Sequence, residues 1–283
     1  MKIAIIGTGA MGSVYAGVLA EAGHEIWAID SWADHIEQIK SNGLTLEGAS
    51  GNRTITNLSA TTDADDAAAC DLYVIATKAD GVGSAAQAVA RNMREDSLIL
   101  TIQNGLGAGE RIAKFIDTKN VLLGVAEGFG ASMKAPGHAH HNAMRQIRIG
   151  EMNGGMSERL QSLVAVWKEA GFNANGFADI HQLIWEKYIC NVFLSAPCAV
   201  FDCTIGELVS NPDWREIALG CMREAYQAGK AKGINFSFED ADDYALKFAA
   251  VMPDASPSLR LDHVARRKSC LLYTSDAADD TRS

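Results

Sequence analysis

Short apolar runs alternate with amphipathic stretches along the first half of the chain. Ile3 to Ile6 is apolar and β-branched, which is typical of a buried parallel strand. Apolar side chains then recur at helical spacing up to Gly23, and a second apolar run from Ile26 to Ile29 ends at Asp30. This pattern predicts a strand, a helix and a second strand over residues 2–30.

The alternation continues to about residue 116. We predict further strands at 71–77 and 97–102, helices at 31–42 and 85–93, and a small hairpin from 44–46 and 53–57. Strands that alternate with helices form a doubly wound parallel sheet, so we predict a Rossmann-type α/β fold. Residues 121–177 continue this half with strands at 121–125 and 146–150 and a helix at 157–170.

From Ala178 onward only long helical patterns occur, at 179–201, 213–232 and 238–251. We therefore predict two domains, a dinucleotide-binding Rossmann domain at 1–177 and an all-helical substrate domain at 178–268.

Glycines stand where the first predicted strand turns into the first helix, in the order Gly7-x-Gly9-x-x-Gly12. With Asp30 closing the next strand, this is the fingerprint of a dinucleotide site. The predicted cofactor residues are Gly7, Thr8, Gly9, Ala10, Met11, Gly12 and Asp30. Ligands of such sheets bind beyond the carboxyl ends of the strands, so the loops at Thr77–Lys78 and Gln103–Gly105 should share this crevice.

Composition narrows the function classes. The formal net charge of −10 argues against nucleic acid and anionic membranes as partners. No apolar run approaches the length needed to cross a bilayer, and the chain starts on a core strand, so we expect no signal peptide. The six cysteines form no CxxC pair, which favours reduced thiols and a cytoplasmic protein.

Three histidines, His138, His140 and His141, follow Pro136-Gly137. Since no Cys, Asp or Glu cluster accompanies them, we predict a solvated turn and strand and no metal site.

The helical half contains Lys187 and Asn191 four residues apart, and hence on one face of a predicted helix. Spacing alone favours a surface lysine that forms a salt bridge with the N-terminal domain. Ser258 could equally be a helix N-cap.

Further motifs support a family assignment. They are Thr77-Lys78-Ala79, Gln103-Asn104-Gly105-Leu-Gly107, Trp185-Glu-Lys187-x-x-x-Asn191, Thr204-Ile-Gly206-Glu207-Leu208 and Pro257-Ser258-Leu with Asp262-x-x-x-Arg266-Arg267. With the glycine loop, they make the chain resemble the ketopantoate reductases (2-dehydropantoate 2-reductases) from residue 1 to about 268. The helix motif followed by T-x-G-E-L is the most specific part.

The resemblance implies NADPH-dependent reduction of ketopantoate to pantoate in pantothenate biosynthesis. Lys187 would be the general acid that protonates the ketone oxygen. Asn104 and Asn191 would orient nicotinamide and substrate, Ser258 would hold the substrate, and Lys78 would lie near the cofactor. A homodimer through the helical domain is compatible with the family.

Two features depart from the family. Asp30 and Ser31 stand where many members have an arginine for the 2′-phosphate of NADPH, and a carboxylate there favours NADH. After Ser269 the family's catalytic glutamate is missing, and Cys270 holds its place. Because Cys270 to Asp280 resembles a translated sequencing-library adapter, we expect residues 269–283 to be a foreign, disordered tail on a truncated chain.

Two alternative functions stay open from the sequence. One is the reduction of another 2-oxo acid on the same scaffold. The other is non-catalytic cofactor binding, which the missing glutamate favours and the retention of Lys187, Asn191 and Asn104 opposes.

Overall fold

The computed structural model describes residues 1–266, which form two compact units. The first comprises Met1–Gln103 and Gly107–Ile180, and the second comprises Asn104–Leu106 and the residues from His181 onward. The tail predicted at 269–283 lies outside the described residues.

The first unit is built on one ten-stranded sheet. Its strands are β1 (Lys2–Ile6), β2 (Glu25–Ile29), β3 (Leu44–Gly48), β4 (Arg53–Ile55), β5 (Ser59–Thr61), β6 (Leu72–Ile75), β7 (Leu98–Thr101), β8 (Val121–Ala135), β9 (His138–Glu151) and β10 (Ala174–Gly176). Its helices are α1 (Ala10–Glu21), α2 (Ala33–Asn42), α3 (Val82–Asn92), α4 (Ala108–Ala113) and α5 (Glu158–Glu169).

Six strands pair in parallel in the spatial order β5-β2-β1-β6-β7-β8. The chain therefore leaves β1 in one direction for β2 and β5 and later returns to its other side for β6, β7 and β8. This is the predicted doubly wound arrangement, and its direction reverses at β1. Such a reversal opens a crevice beyond the carboxyl ends of the two strands that flank it.

Beyond β8 the sheet is mixed, in the part of the chain for which the sequence analysis predicted strands but no strand directions. β9 runs antiparallel to β8, β3 and β10 pair in parallel with β9, and β4 pairs antiparallel to β3 as the predicted hairpin. The strands predicted at 121–125 and 146–150 are the ends of β8 and β9. The middle of β8 was missed because it is rich in glycine and alanine and has no apolar alternation.

One face of this sheet packs against α1 and α5. Among the largest fully buried side chains is Tyr15 of α1, whose ring centroid lies 5.3 Å from that of Trp167 and 5.8 Å from that of Phe129. Phe172 completes the aromatic group at 6.1 Å from Tyr15. Tyr15 therefore fixes α1 to the sheet by ring packing.

The second unit is helical over its described residues. Its helices are α6 (Ile180–Val200), α7 (Ile205–Ser210), α8 (Pro212–Ala231), α9 (Ala241–Ala250) and α10 (Ser258–Val264). The first residue of α6 belongs to the first unit. Thr204 and Glu207 of the T-x-G-E-L motif form a reciprocal capping box that starts α7. Among residues 1–266, no helix has the length and apolar character of a membrane span.

The turn and strand predicted at the three histidines are observed, but the prediction that all three are solvated is wrong for His141. His141 is fully buried, whereas His140 Nδ1 lies 2.9 Å from Glu47 Oε1 and His138 Nε2 lies 3.2 Å from Glu47 Oε2. The prediction did not include the pairing of β3 with β9, which covers the edge of β9 that carries the histidines. Within residues 1–266 no cluster of three or more His, Cys, Asp or Glu side chains could bind a metal.

Two buried tyrosines differ in the hydrogen bonds of their hydroxyl groups. We therefore expect removal of the hydroxyl to affect the free energy of unfolding differently at the two positions. Among the described residues the Tyr15 hydroxyl has no partner, while the Tyr73 hydroxyl lies 2.9 Å from the Asn92 carbonyl and 3.2 Å from the Cys70 amide. We expect Tyr15→Phe to leave the free energy of unfolding unchanged or higher. Tyr73→Phe should lower it by about 1 kcal/mol. Urea unfolding of both variants provides the measurement, and equal losses would contradict this account.

Candidate functional site

The glycine loop between β1 and α1 lies directly against the loop that follows β6. Gly7 has φ +91°, and a Cβ on it would lie 2.6 Å from the backbone nitrogen of Thr77. The Gly7 N–H also donates to the Ile29 carbonyl at 2.8 Å. Any larger residue at this position would therefore push apart the ends of β1, β2 and β6.

The other two glycines have different surroundings. A Cβ on Gly12 would overlap the carbonyl oxygen of Gly7, so α1 can begin this close to β1 only with glycine. A Cβ on Gly9 would meet no atom within 4 Å. Gly9 is the N-cap of α1, with ordinary extended backbone at φ −69°. The space beside it is where a diphosphate could approach the helix N-terminus.

Thr8 anchors the loop from beneath. It is fully buried, and its hydroxyl lies 3.1 Å from the Ile29 carbonyl and 3.2 Å from the Ile5 carbonyl. Its own carbonyl accepts a hydrogen bond from the Ser13 hydroxyl at 3.1 Å. Thr8 thus shapes the loop and does not present its side chain at the surface. Ala10 and Met11 are the first two residues of α1.

Asp30 follows β2 and adjoins this loop. Its Oδ1 accepts the Trp32 N–H at 2.9 Å, while Oδ2 accepts no hydrogen bond within residues 1–266. A half-buried carboxylate with one uncommitted oxygen can accept a ribose hydroxyl.

Gln103, after β7, lies in a loop that was expected to share a crevice with Thr77, but its side chain was given no role. Its side-chain amide donates to the Thr77 carbonyl at 2.8 Å and so joins the loops after β6 and β7. Its position immediately after a predicted strand was the available signal. Lys78 is exposed and precedes a short 3₁₀ turn, Ala79–Gly81. Asn104 is exposed in a bend and belongs to the second unit.

In the second unit, Lys187 and Asn191 are half-buried on one face of α6, as their spacing predicted. The adjacent Glu186 has a structural role, because it is buried and its Oε1 accepts the Ser237 N–H at 2.7 Å. Ser258 is the exposed first residue of α10. The N-cap of α10 is Pro257, so the alternative of Ser258 as an N-cap is wrong.

The residues of the first unit fit a dinucleotide. The loop at residues 7–12 leaves open space beside Gly9 at a helix N-terminus, and Asp30 offers an acceptor at the end of the neighbouring strand. Both lie at the β1 reversal point of the sheet, where such ligands bind.

Family models match both halves of the chain. The model described as "Ketopantoate reductase PanE/ApbA" matches residues 3–154, and "Ketopantoate reductase PanE/ApbA C terminal" matches residues 179–274. The chain belongs to the ketopantoate reductase family. It is therefore an NAD(P)-dependent oxidoreductase that acts on a CH–OH group. The C-terminal match runs beyond residue 268, where the sequence analysis placed the end of the resemblance.

Individual members of the family are similar over nearly the whole chain. A 2-dehydropantoate 2-reductase of Streptococcus pyogenes serotype M3 is 27% identical over 268 residues, which cover 95% of this chain and 86% of the relative. One from Halobacterium salinarum is 28% identical over 262 residues, covering 93% and 86%.

A solved structure of a PanE/ApbA family ketopantoate reductase from Ralstonia eutropha JMP134 superposes with a TM-score of 0.87 at 26% identity. It covers 98% of this chain and 89% of that one. A D-mandelate dehydrogenase structure with NADH and anilino(oxo)acetate has the same fold, with a TM-score of 0.87 at 24% identity and coverage of 98% and 90%.

The three glycine environments predict that binding and stability can be separated. Gly9→Ala should leave the melting temperature unchanged but weaken ADP-ribose binding about tenfold or more, because the new methyl occupies the space for the diphosphate. In contrast, Gly12→Ala should lower the free energy of unfolding by about 1–3 kcal/mol, because its methyl group overlaps the Gly7 carbonyl oxygen.

The matched control is Gly83→Ala in α3, where a Cβ would also meet no atom within 4 Å. It should preserve binding and slightly raise stability. Calorimetry with ADP-ribose and thermal unfolding measure both quantities. Unchanged binding in Gly9→Ala would contradict the assignment of this space to the diphosphate.

Proposed function

We propose that this chain reduces 2-dehydropantoate to pantoate, with hydride from a reduced nicotinamide dinucleotide and a proton from Lys187. Two observations support the proposal. The family matches extend over both units, and the relatives are named 2-dehydropantoate 2-reductases. The observation on which the chemistry depends is the half-buried pair of Lys187 and Asn191 on one face of α6.

Lys187 is the proposed general acid. Hydride addition to a ketone carbon leaves negative charge on the oxygen, and an ammonium group can both stabilise that charge and donate the proton. A lysine ammonium group carries the proton that this step requires. The dinucleotide supplies the hydride when bound, and the protein supplies position and proton.

The remaining polar groups would bind and orient the substrate. Asn191 lies one helical turn from Lys187 and can hydrogen-bond a hydroxyl or carboxylate of a small 2-oxo acid. Asn104 would orient the nicotinamide and substrate, and Ser258 would hold the far end of the substrate. Lys78, exposed after β6, would lie near the cofactor.

NADH is the proposed preferred cofactor. The uncommitted oxygen of Asp30 can accept a hydrogen bond from a ribose hydroxyl, whereas its negative charge repels a 2′-phosphate. Ser31, which follows it, offers no positive charge to offset that repulsion.

Replacement of Lys187 tests the proposed reaction. Lys187→Ala should lower kcat for 2-dehydropantoate by about 10²–10⁴-fold, because general acid catalysis contributes that much, while ADP-ribose affinity stays unchanged. Lys230→Ala is the matched control, since this exposed lysine lies in the last turn of α8. Initial rates followed by nicotinamide absorbance measure the effect.

The same assay with branched and aromatic 2-oxo acids tests the substrate. A higher kcat/KM for one of these would replace 2-dehydropantoate in the proposal. Turnover by Lys187→Ala within a few-fold of the unchanged chain would refute the assigned acid, and absence of turnover with every 2-oxo acid despite cofactor binding would favour a non-catalytic protein.

Replacement of Asp30 tests the cofactor preference. The unchanged chain should show a kcat/KM at least about tenfold higher for NADH than for NADPH, and Asp30→Ala should remove most of that difference by removing the repulsion. Asp34→Ala, in the exposed first turn of α2, removes the same charge nearby and should retain the preference. A strong NADPH preference of the unchanged chain would exclude this role of Asp30.

A further inference from the structure

A fully buried histidine, His35 of α2, lies beneath the dinucleotide loop and has no part in the proposed reaction. Its Nδ1 accepts the Gly137 N–H at 2.8 Å. Gly137 belongs to the turn between β8 and β9 and has φ +70°. His35 thus joins α2 to a turn that is remote from it in sequence.

The other ring nitrogen faces the glycine loop. His35 Nε2 lies 3.5 Å from the Ser13 hydroxyl, which itself donates to the Thr8 carbonyl at 3.1 Å. The Thr8 backbone is close enough to the ring to raise its pKa. Since Thr8 is held on its other side by the Ile29 carbonyl, the ring is a second support of the loop.

These contacts select one form of the ring. An N–H group only donates, so the Gly137 contact requires an unprotonated Nδ1 and leaves the proton of a neutral ring on Nε2. That Nε2–H is the group that faces the Ser13 hydroxyl. A second proton, on Nδ1, would place the Nδ1–H group against the Gly137 N–H group. Both groups are donors, so the hydrogen bond to Gly137 would be lost.

We propose that His35 is a positioning residue for the dinucleotide, whose neutral, Nε2-protonated ring holds the loop at residues 7–12 against the β8–β9 turn. Protonation of the ring breaks the contact with the turn, releases the loop and weakens cofactor binding. The proposal rests on the cofactor binding of the family and is independent of which keto acid is reduced.

The surroundings of the ring agree with a neutral form. Burial lowers the pKa of His35 from its usual value, although the Asp30 carboxylate and the Thr8 backbone act in the opposite direction. The groups that face the ring from α1, the glycine loop and the β8–β9 turn are the uncharged Ser13, Thr8 and Gly137. The Trp32 ring stacks on it at 5.2 Å. Among the charged groups of residues 1–266, only the Asp30 carboxylate acts on the pKa of His35, and it raises that pKa.

The sign of the pH effect follows. The lowered pKa means that the ring is neutral at pH 7 and becomes charged only as the pH falls through a value below that of an ordinary histidine. Cofactor affinity should therefore be constant near neutral pH and fall at acidic pH. The limiting slope for one proton is about tenfold in Kd per pH unit.

Two substitutions separate the halves of the contact. The amide of His35→Gln is long enough to donate toward the loop in place of Nε2. The oxygen of His35→Asn can replace Nδ1 at Gly137 but does not reach the loop. His35→Gln keeps the donor to the loop but has no acceptor for the Gly137 N–H, as in the protonated ring. We therefore expect it to bind ADP-ribose about tenfold or more weakly than the unchanged chain at pH 7 and to lose the acid dependence. His35→Asn should bind about tenfold or more weakly at every pH.

The experiment is calorimetric titration of the full chain with ADP-ribose between pH 5.5 and 8, with His24→Gln as control. His24 also has a pKa lowered mainly by burial, but it lies beyond the opposite end of α1. Its variant should retain the acid dependence of the unchanged chain. A flat profile of the unchanged chain, or an unaltered acid dependence in His35→Gln, would overturn the proposal.

Nitrogen-15 spectra of histidine-labelled protein give an independent readout even if His35→Asn does not fold. The signal that disappears in His35→Gln should report an unprotonated Nδ1 and a protonated Nε2 at pH 7. The opposite tautomer would exclude the proposed contacts. Because ADP-ribose contains neither nicotinamide nor keto acid, failure here is distinguishable from failure of the proposed reaction.

Discussion

The contact between the glycine loop and the strand ends around it is the constraint on which the first unit depends. Gly7 lies against Thr77 so closely that no side chain fits, and Gly12 lies equally close to Gly7. These two contacts bring α1 onto β1 and β1 beside β6. The free helix N-terminus at Gly9 and the acceptor at Asp30 are then at the same edge of the sheet. The lack of side chains at Gly7 and Gly12 is thus what allows the positive helix end and the carboxylate to lie close together.

Support for this loop comes from residues that do not themselves face the cofactor. Gln103 ties the loop after β7 to Thr77, which lies against Gly7. The Ser13 hydroxyl donates to the Thr8 carbonyl, and His35 in turn contacts the Ser13 hydroxyl. Glycines have no side chains that could pack and fix the conformation of a loop. The geometry of this loop must therefore come from hydrogen bonds to its backbone.

Much of this architecture could be predicted from the sequence because its signals are local. The run Ile3 to Ile6, the glycine spacing and Asp30 lie within thirty residues and specify strand, turn, helix and strand together. The pair of Lys187 and Asn191 was likewise placed on one helix face by spacing alone.

The pairing of segments that are distant in the sequence has no such local signal. The burial of His141 and the contact of His35 with Gly137 depend on β3 and α2 meeting β8 and β9, which local periodicity does not encode. The loop at Gln103 was expected to lie beside Thr77, but the spacing of residues does not show that the Gln103 side chain makes the contact.

The pairing of β3 with β9 has a consequence for the order of folding. Thr45 pairs with His138, so the β3–β4 hairpin has no neighbour in the sheet until β9 has been synthesised. Leu46 lies against Gly17 of α1, which is synthesised earlier, so it is the backbone edge of β3 that stays unpaired until then. A long loop must close before this pairing is gained, which slows the final step and leaves an open edge during translation. During translation the early hairpin therefore exposes an unpaired strand edge, which is a site where another chain could pair.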